Sequence, residues 1–158
     1  RFIIAPHEVN EKRIAELKLL FPESVNYSGI KGAENLNPEL KDSRILIIDS
    51  IGILSSVYRY GVIAYIGGGF GVGIHNTLEA AAFGIPVIFG PNYSRFQEAV
   101  QLIEKGGAFS IESADELKLL MNQLKEPEFR KNCGIIAGNY VRQNTGASRI
   151  FLDHISST

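Results

Sequence analysis

Six short apolar runs punctuate the chain: Phe2–Ala5, Val25–Ser28, Ile45–Ile48, Val62–Ile66, Val87–Phe89 and Ala108–Ile111. Several run without polar alternation, the pattern of strands buried on both faces. Between them, hydrophobic residues recur at helical spacing. The first such set is Ile14, Leu17 and Leu20 or Phe21; the second is Phe96, Val100 and Ile103; the third is Leu117, Leu120 or Met121, and Leu124. Ser94-Arg-Phe-Gln97 and Ser113-Ala-Asp-Glu116 both match a capping box. Pro127 suits a first helical turn, and the stretch after it reads as helical, with Val141, Ala147, Phe151 and Ile155 facing inward. Strands alternating with helices predict an α/β fold, a parallel sheet of about six strands with helices on both faces. Residues 29–43 are polar and turn-rich and read as a surface connection. With no repeat or linker, residues 1–158 read as a single domain.

Composition narrows the function. Hydrophobic residues make up 45% of the 158, enough for a real core, and the formal net charge of −1 gives no polyanion-binding surface, so nucleic acid is not expected as a partner. The single cysteine, Cys133, excludes an internal disulfide and a cysteine metal cage and reads as a buried helix residue. No stretch of about 18 apolar residues is present to span a membrane. The chain opens on Arg1 inside a strand-like run, which suggests a piece cut from a longer protein.

The segment GGGFGVGIHNTLEAAAFGIPVIFGPNY, from Gly67 to Tyr93, carries the chemistry. In a parallel sheet, ligands bind beyond the carboxyl ends of the strands, and this loop follows the Val62–Ile66 run. Gly67, Gly68, Gly69, Gly71 and Gly73 let a ligand approach the backbone amides. The helix start after His75 adds unpaired N–H groups and partial positive charge, so the pattern points to a phosphate site. Two familiar phosphate loops fail on spacing. The dinucleotide fingerprint needs a glycine five residues after Gly67, Gly69 or Gly71, where Val72, Ile74 and Asn76 stand. A P-loop needs a lysine after Gly73, where Ile74 stands. Asn76 and Glu79 have two readings, a helix-capping pair or, for Glu79, a carboxylate accepting from a ribose diol. His75 can donate to a phosphate or be satisfied within its loop. Gly106-Gly107 marks a helix end, and Tyr58-Arg59-Tyr60 is either another helix end or an interaction patch.

These residues resemble the donor-binding half of a GT-B glycosyltransferase, and more closely the 3-deoxy-D-manno-octulosonic acid (Kdo) transferase family. That family carries a Gly-Gly-(loop)-Gly-Gly-His-Asn-Pro-Leu-Glu-Pro pattern, then a Pro-Val-(apolar)-x-Gly-Pro strand and turn. Gly67–Gly69, Gly73, His75, Asn76, Leu78, Glu79, Pro86, Val87, Gly90 and Pro91 match it. IIDSIGIL (47–54) is similar to the family's Asp-Thr-x-Gly-Glu-Leu stretch, and IIAPHEVNEKR (3–13) to its Pro-Arg-His-Pro-Glu-Arg stretch. Ile74, Thr77 and Ala80 stand where the pattern has Gly, Pro and Pro; Ile53 replaces a Glu, and His7 follows Pro6 where many members have Arg.

The resemblance implies the Rossmann-like C-terminal half of a GT-B enzyme. The reaction it implies moves Kdo from CMP-Kdo to a lipid A precursor in lipopolysaccharide synthesis, with no cofactor and no metal. The N-terminal acceptor domain, with its general base and membrane-facing surface, is absent from this chain. No catalytic residue is therefore expected here, the fragment alone is expected to be inactive, and contacts with the acceptor and the membrane belong to the missing domain. The full-length enzyme is expected in the cytoplasm, at the inner face of the inner membrane. By the resemblance, Gly68, Gly69, Gly73, His75 and Asn76 hold the phosphate or sugar, and Glu79 the ribose. Gly52 and Ile53 offer backbone to the cytosine edge, and Pro6 and His7 border the same cleft. Asn92 is either a plain turn residue or a contact to the donor sugar. Asp49 is either a cap for the short helix after it or a ligand contact. A UDP-sugar enzyme of similar architecture and a non-catalytic nucleotide-binding module are the alternatives.

Overall fold

The computed structural model describes residues 1–30, 42–146 and 155. The chain divides into two compact units, Arg1–Val57 and Tyr58–Thr158. All six expected strands are present, but in two three-stranded parallel sheets instead of one six-stranded sheet.

The first unit contains β1 (Phe2–Ile4), α1 (Glu11–Leu20), β2 (Val25–Asn26), β3 (Ile45–Ile47) and α2 (Leu54–Val57). Its sheet order is β1-β3-β2. The central strand β3 buries Ile45 and Ile47 against Leu17 of α1, with Ile4, Ile14 and Phe21 closing the cluster. Of the two candidates at the end of α1, Phe21 turns inward while Leu20 is exposed. Helix α1 begins where Asn10 Oδ1 accepts from Arg13 N at 2.8 Å, an ordinary N-cap. Most of the 29–43 connection lies outside the described residues.

The second unit opens with a 3₁₀ turn, Tyr58–Tyr60, the helix-end reading of that tripeptide. It continues with β4 (Ala64–Ile66), α3 (Leu78–Ala81), β5 (Val87–Phe89), α4 (Gln97–Lys105), β6 (Ala108–Ser110), α5 (Ala114–Gln123) and α6 (Pro127–Gln143). The sheet order is β4-β5-β6. Successive residues of β5 point to opposite faces. Val87 and Phe89 join Ala80, Ala99, Leu102, Ala137 and Tyr140 from α3, α4 and α6. Ile88 joins Leu120 and Leu124 on the other side. This sheet therefore has helices on both faces. Each fully buried aliphatic or aromatic side chain of β5 contributes about 1.5–3 kcal/mol of transfer free energy.

Burial on both faces holds for β5 but not for the edge strands. Phe2 and Ile3 of β1 and Tyr65 of β4 are exposed. A strand with a neighbour on one side only has less cover than a central one, whatever its own sequence. Two helices start where the sequence predicts: at Ser113, whose Oγ accepts from Glu116 N at 3.2 Å, and at Pro127. Ser94 does not cap a helix. The turn after β5 runs on through Arg95, with Phe96 N donating to Tyr93 O, and α4 starts at Gln97. Gly106 ends α4 in the left-handed conformation, at φ 84°. Val141 packs on the core as expected, whereas Ile155 is exposed; Ala147 and Phe151 lie outside the described residues. Cys133 is buried in α6, and burial pushes its thiol pKa up.

Candidate functional site

In a parallel sheet the loops leaving the carboxyl ends of neighbouring strands gather at one edge. In the first unit, β1 and β3 are neighbours in register Ile4↔Ile47. Pro6 and His7 follow β1, and Gly52 and Ile53 follow β3, so both candidate pairs lie at one edge of this sheet. Gly52 has φ 85°, which suits glycine. Asp49, on the same edge, does not cap α2. It accepts hydrogen bonds from the backbone N–H and the hydroxyl of Ser28, which tie it to the residues following β2. Burial raises the Asp49 pKa, but hydrogen bonds, first those from Ser28, together outweigh it and hold the carboxyl below its usual range.

In the second unit the same rule places the glycine loop, which follows β4, beside the Gly90–Asn92 turn, which follows β5. The registered pair Ile66↔Phe89 ends both strands together. The two segments touch backbone to backbone. A Cβ on Gly69 would lie 2.6 Å from Gly90 N and 2.7 Å from Gly90 Cα. Only glycine permits this approach. Gly68, at φ 90°, lies beneath Gly73 O, with His75 Nε2 3.3 Å from where its Cβ would be.

The loop's hydrogen bonds are lopsided. Between Gly67 and Gly73, five of the seven carbonyls are taken up by the protein. Gly67 O accepts from His75 N, and Gly68 O accepts from both Gly71 N and Gly73 N. Gly69 O accepts from Asn92 N at 2.9 Å, and Gly71 O from Asn92 Nδ2 at 2.7 Å. Val72 O accepts from the Arg95 guanidinium. By contrast, the amides of Gly69, Phe70, Val72, Ile74 and Asn76 have no acceptor among the described residues. A loop whose acceptors are mostly taken up and whose donors are mostly left over presents net positive potential, the condition for holding an anion.

At the loop's exit, Asn76 and Glu79 do pair, though not as the reciprocal capping box. Asn76 Oδ1 accepts from Leu78 N, and Asn76 Nδ2 donates to Glu79 Oε1, both at 3.0 Å. Helix α3 spans only Leu78–Ala81, so its dipole is that of a single turn, and the loop amides are the main source of positive potential. Thr77 is fully buried, and its hydroxyl oxygen has no hydrogen-bond partner among the described residues. Both Asn76 and Glu79 are exposed. The Glu79 charge reaches Tyr58, whose pKa is raised first by burial and then by that carboxylate.

The sequence therefore located Gly68, Gly69, Gly73, His75, Asn76, Glu79 and Asn92 in one neighbourhood. It missed Arg95, whose cation lies against the loop. Its signal in the sequence is a basic residue a few positions beyond the Gly90-Pro91 turn, inside a stretch whose spacing also matches a capping box.

Comparisons with known proteins bear on the chain as a whole. A 3-deoxy-D-manno-octulosonic acid transferase from Aquifex aeolicus is 30% identical over 151 residues, 90% of this chain and 40% of that protein. The transferase of the same name from Chlamydophila psittaci is 31% identical over 123 residues, 75% of this chain and 28% of that protein. The chain thus spans less than half the length of these curated relatives. No family model matches it. Among solved structures, the C-terminal CMP-Kdo binding domain of WaaA from Acinetobacter baumannii superposes with a TM-score of 0.71 at 21% identity. That match covers 88% of this chain and 72% of the other, and it bears out the α/β fold. Among the described residues, no helix is long and apolar enough to cross a membrane.

Proposed function

The chain belongs to the 3-deoxy-D-manno-octulosonic acid transferase family, and on that premise we propose that it is the donor-binding part of an enzyme that moves Kdo from CMP-Kdo to a lipid A precursor. One observation carries this reading: between Gly67 and Gly73 the loop spends most of its carbonyls on the protein, while the amides of Gly69, Phe70 and Val72 have no acceptor among the described residues.

That arrangement suits the chemistry. As the bond from the sugar to the phosphate breaks, CMP departs and negative charge grows on its phosphoryl oxygens. Amides held by the fold meet that charge without having to reorganise. Each donor of this kind typically lowers a barrier by about 3 kcal/mol. Gly68, Gly69, Gly73, His75 and Asn76 take the phosphate and sugar side. Glu79, its carboxylate oriented by Asn76, accepts from the ribose hydroxyls. Asn92 acts through the loop, holding Gly69 O and Gly71 O in place. On this reading the general base and the acceptor surface lie outside residues 1–158.

Calorimetric titration with CMP, UMP and NAD tests the reading. CMP binding with NMR shifts at residues 67–79, and much weaker UMP binding, is the expected result. Preference for UMP would give the site to a UDP-sugar enzyme instead. Absence of any nucleotide binding by the folded chain would remove the proposal.

A further inference from the structure

The loop supplies neutral donors, but a phosphate of a nucleotide donor carries a full charge. The cation against this loop is Arg95. Its guanidinium donates to Val72 O and lies over the Phe96 ring, 5.2 Å from the centroid. Phe96 is itself packed on the core. Gly73 makes the room: a Cβ there would collide with Arg95 Nη2 and come within 3.0 Å of the Phe96 ring. The guanidinium is thus seated between a loop carbonyl and an aromatic face.

Among the described residues no acidic side chain is paired with Arg95. A guanidinium carries five N–H donors in a planar fork. The bond to Val72 O accounts for its hydrogen bonding among the described residues, and the other donors remain. An unpaired fork of donors beside amides without acceptors is the chemistry that recognises a phosphoryl group.

We propose that Arg95 is a phosphate-binding residue of the donor site, its fork gripping the phosphoryl oxygens of the nucleotide seated on the glycine loop. This rests on the reading of the loop given above and adds a residue to it.

The test is calorimetry on the 158-residue chain, titrated with CMP and with cytidine at low and moderate salt. Arg95→Ala should weaken CMP binding by about tenfold or more, the usual effect of losing one hydrogen bond to a charged group. Cytidine binding should be unchanged, and the salt dependence of CMP binding should flatten. Arg95→Gln keeps an N–H donor for Val72 O while removing the charge, and it should show the same loss. That variant keeps the test open if the alanine protein does not fold. Equal loss of CMP and cytidine affinity would reduce Arg95 to a pin for the loop and overturn the proposal. So would wild-type affinity for CMP in a folded Arg95→Gln protein. If the wild-type chain binds CMP and the variants bind it equally well, only Arg95 is removed. If the wild-type chain binds no nucleotide, the loop reading falls and Arg95 with it.

Discussion

Gly67 and Gly69 are two residues apart in the same loop, yet alanine should do opposite things at the two positions. A Cβ on Gly69 would stand 2.6, 2.7 and 2.9 Å from the N, Cα and C atoms of Gly90. Carbon contacts settle near about 3.5–4.0 Å, so the two backbones must part by roughly 1 Å. No rotamer change can absorb this, because both sides are main chain. Gly90 is also buried directly after the fully buried β5. Overpacking of this kind costs about 1–3 kcal/mol. At Gly67 a Cβ meets no heavy atom within 4 Å, and its φ is not left-handed. Alanine there should stabilise by about 0.4–1 kcal/mol, through a less disordered unfolded chain. Urea denaturation of both variants should therefore differ by about 2–3 kcal/mol in unfolding free energy. CMP titration should follow the same order, since parting the segments also strains the hydrogen bond from Asn92 N to Gly69 O. If the two variants unfold within about 0.5 kcal/mol of each other, the close approach of the segments is wrong, and with it the reason for a glycine at 69.

Three further outcomes are expected. The lowered Asp49 pKa means its carboxylate stabilises the fold fully above the unfolded value, about 3.9, and loses that contribution as pH falls through the folded value. The stability gap between wild type and Asp49→Asn should therefore narrow below about pH 4 in denaturation series; a gap independent of pH would contradict this. Ser113→Ala removes the acceptor for Glu116 N and should cost about 1 kcal/mol, read from the thermal midpoint, with CMP affinity unchanged. Glu79→Ala should weaken CMP binding by about tenfold. Glu79→Gln, which keeps an oxygen for Asn76 Nδ2, separates the ribose role from the loop-exit hydrogen bond. Unchanged affinity in both would remove Glu79 from the site.

The elements were legible because each is encoded locally. Short apolar runs, several of them unbroken, marked all six strands, and α5 had both a capping serine and a helical stripe. What was not legible depends on partners far along the chain. Ile3 and Ile88 sit in equally apolar runs, yet one is 39% exposed and the other 0%. The difference is that β5 has a strand on each side and β1 does not. No periodicity within a strand records its place in the sheet. The Ser94 reading failed for a similar reason. Its spacing to Gln97 was right for a cap, but Phe96 is anchored in the core and the preceding turn extends to meet it.

The same limit applies to the candidate site. Glycines between a strand and a helix located the loop, but they could not say which of its backbone groups stay available. That depends on where the carbonyls find donors, and three of those donors come from the turn after the next strand: Asn92 N, Asn92 Nδ2 and Arg95. A glycine-rich segment alone would be as rich in acceptors as in donors and would have no preference for an anion. Preference arises only when a second segment, brought alongside by the parallel pairing of β4 and β5, takes up the acceptors. The motif is therefore half of the candidate site, and the Gly90–Arg95 turn is the half that gives the loop its sign.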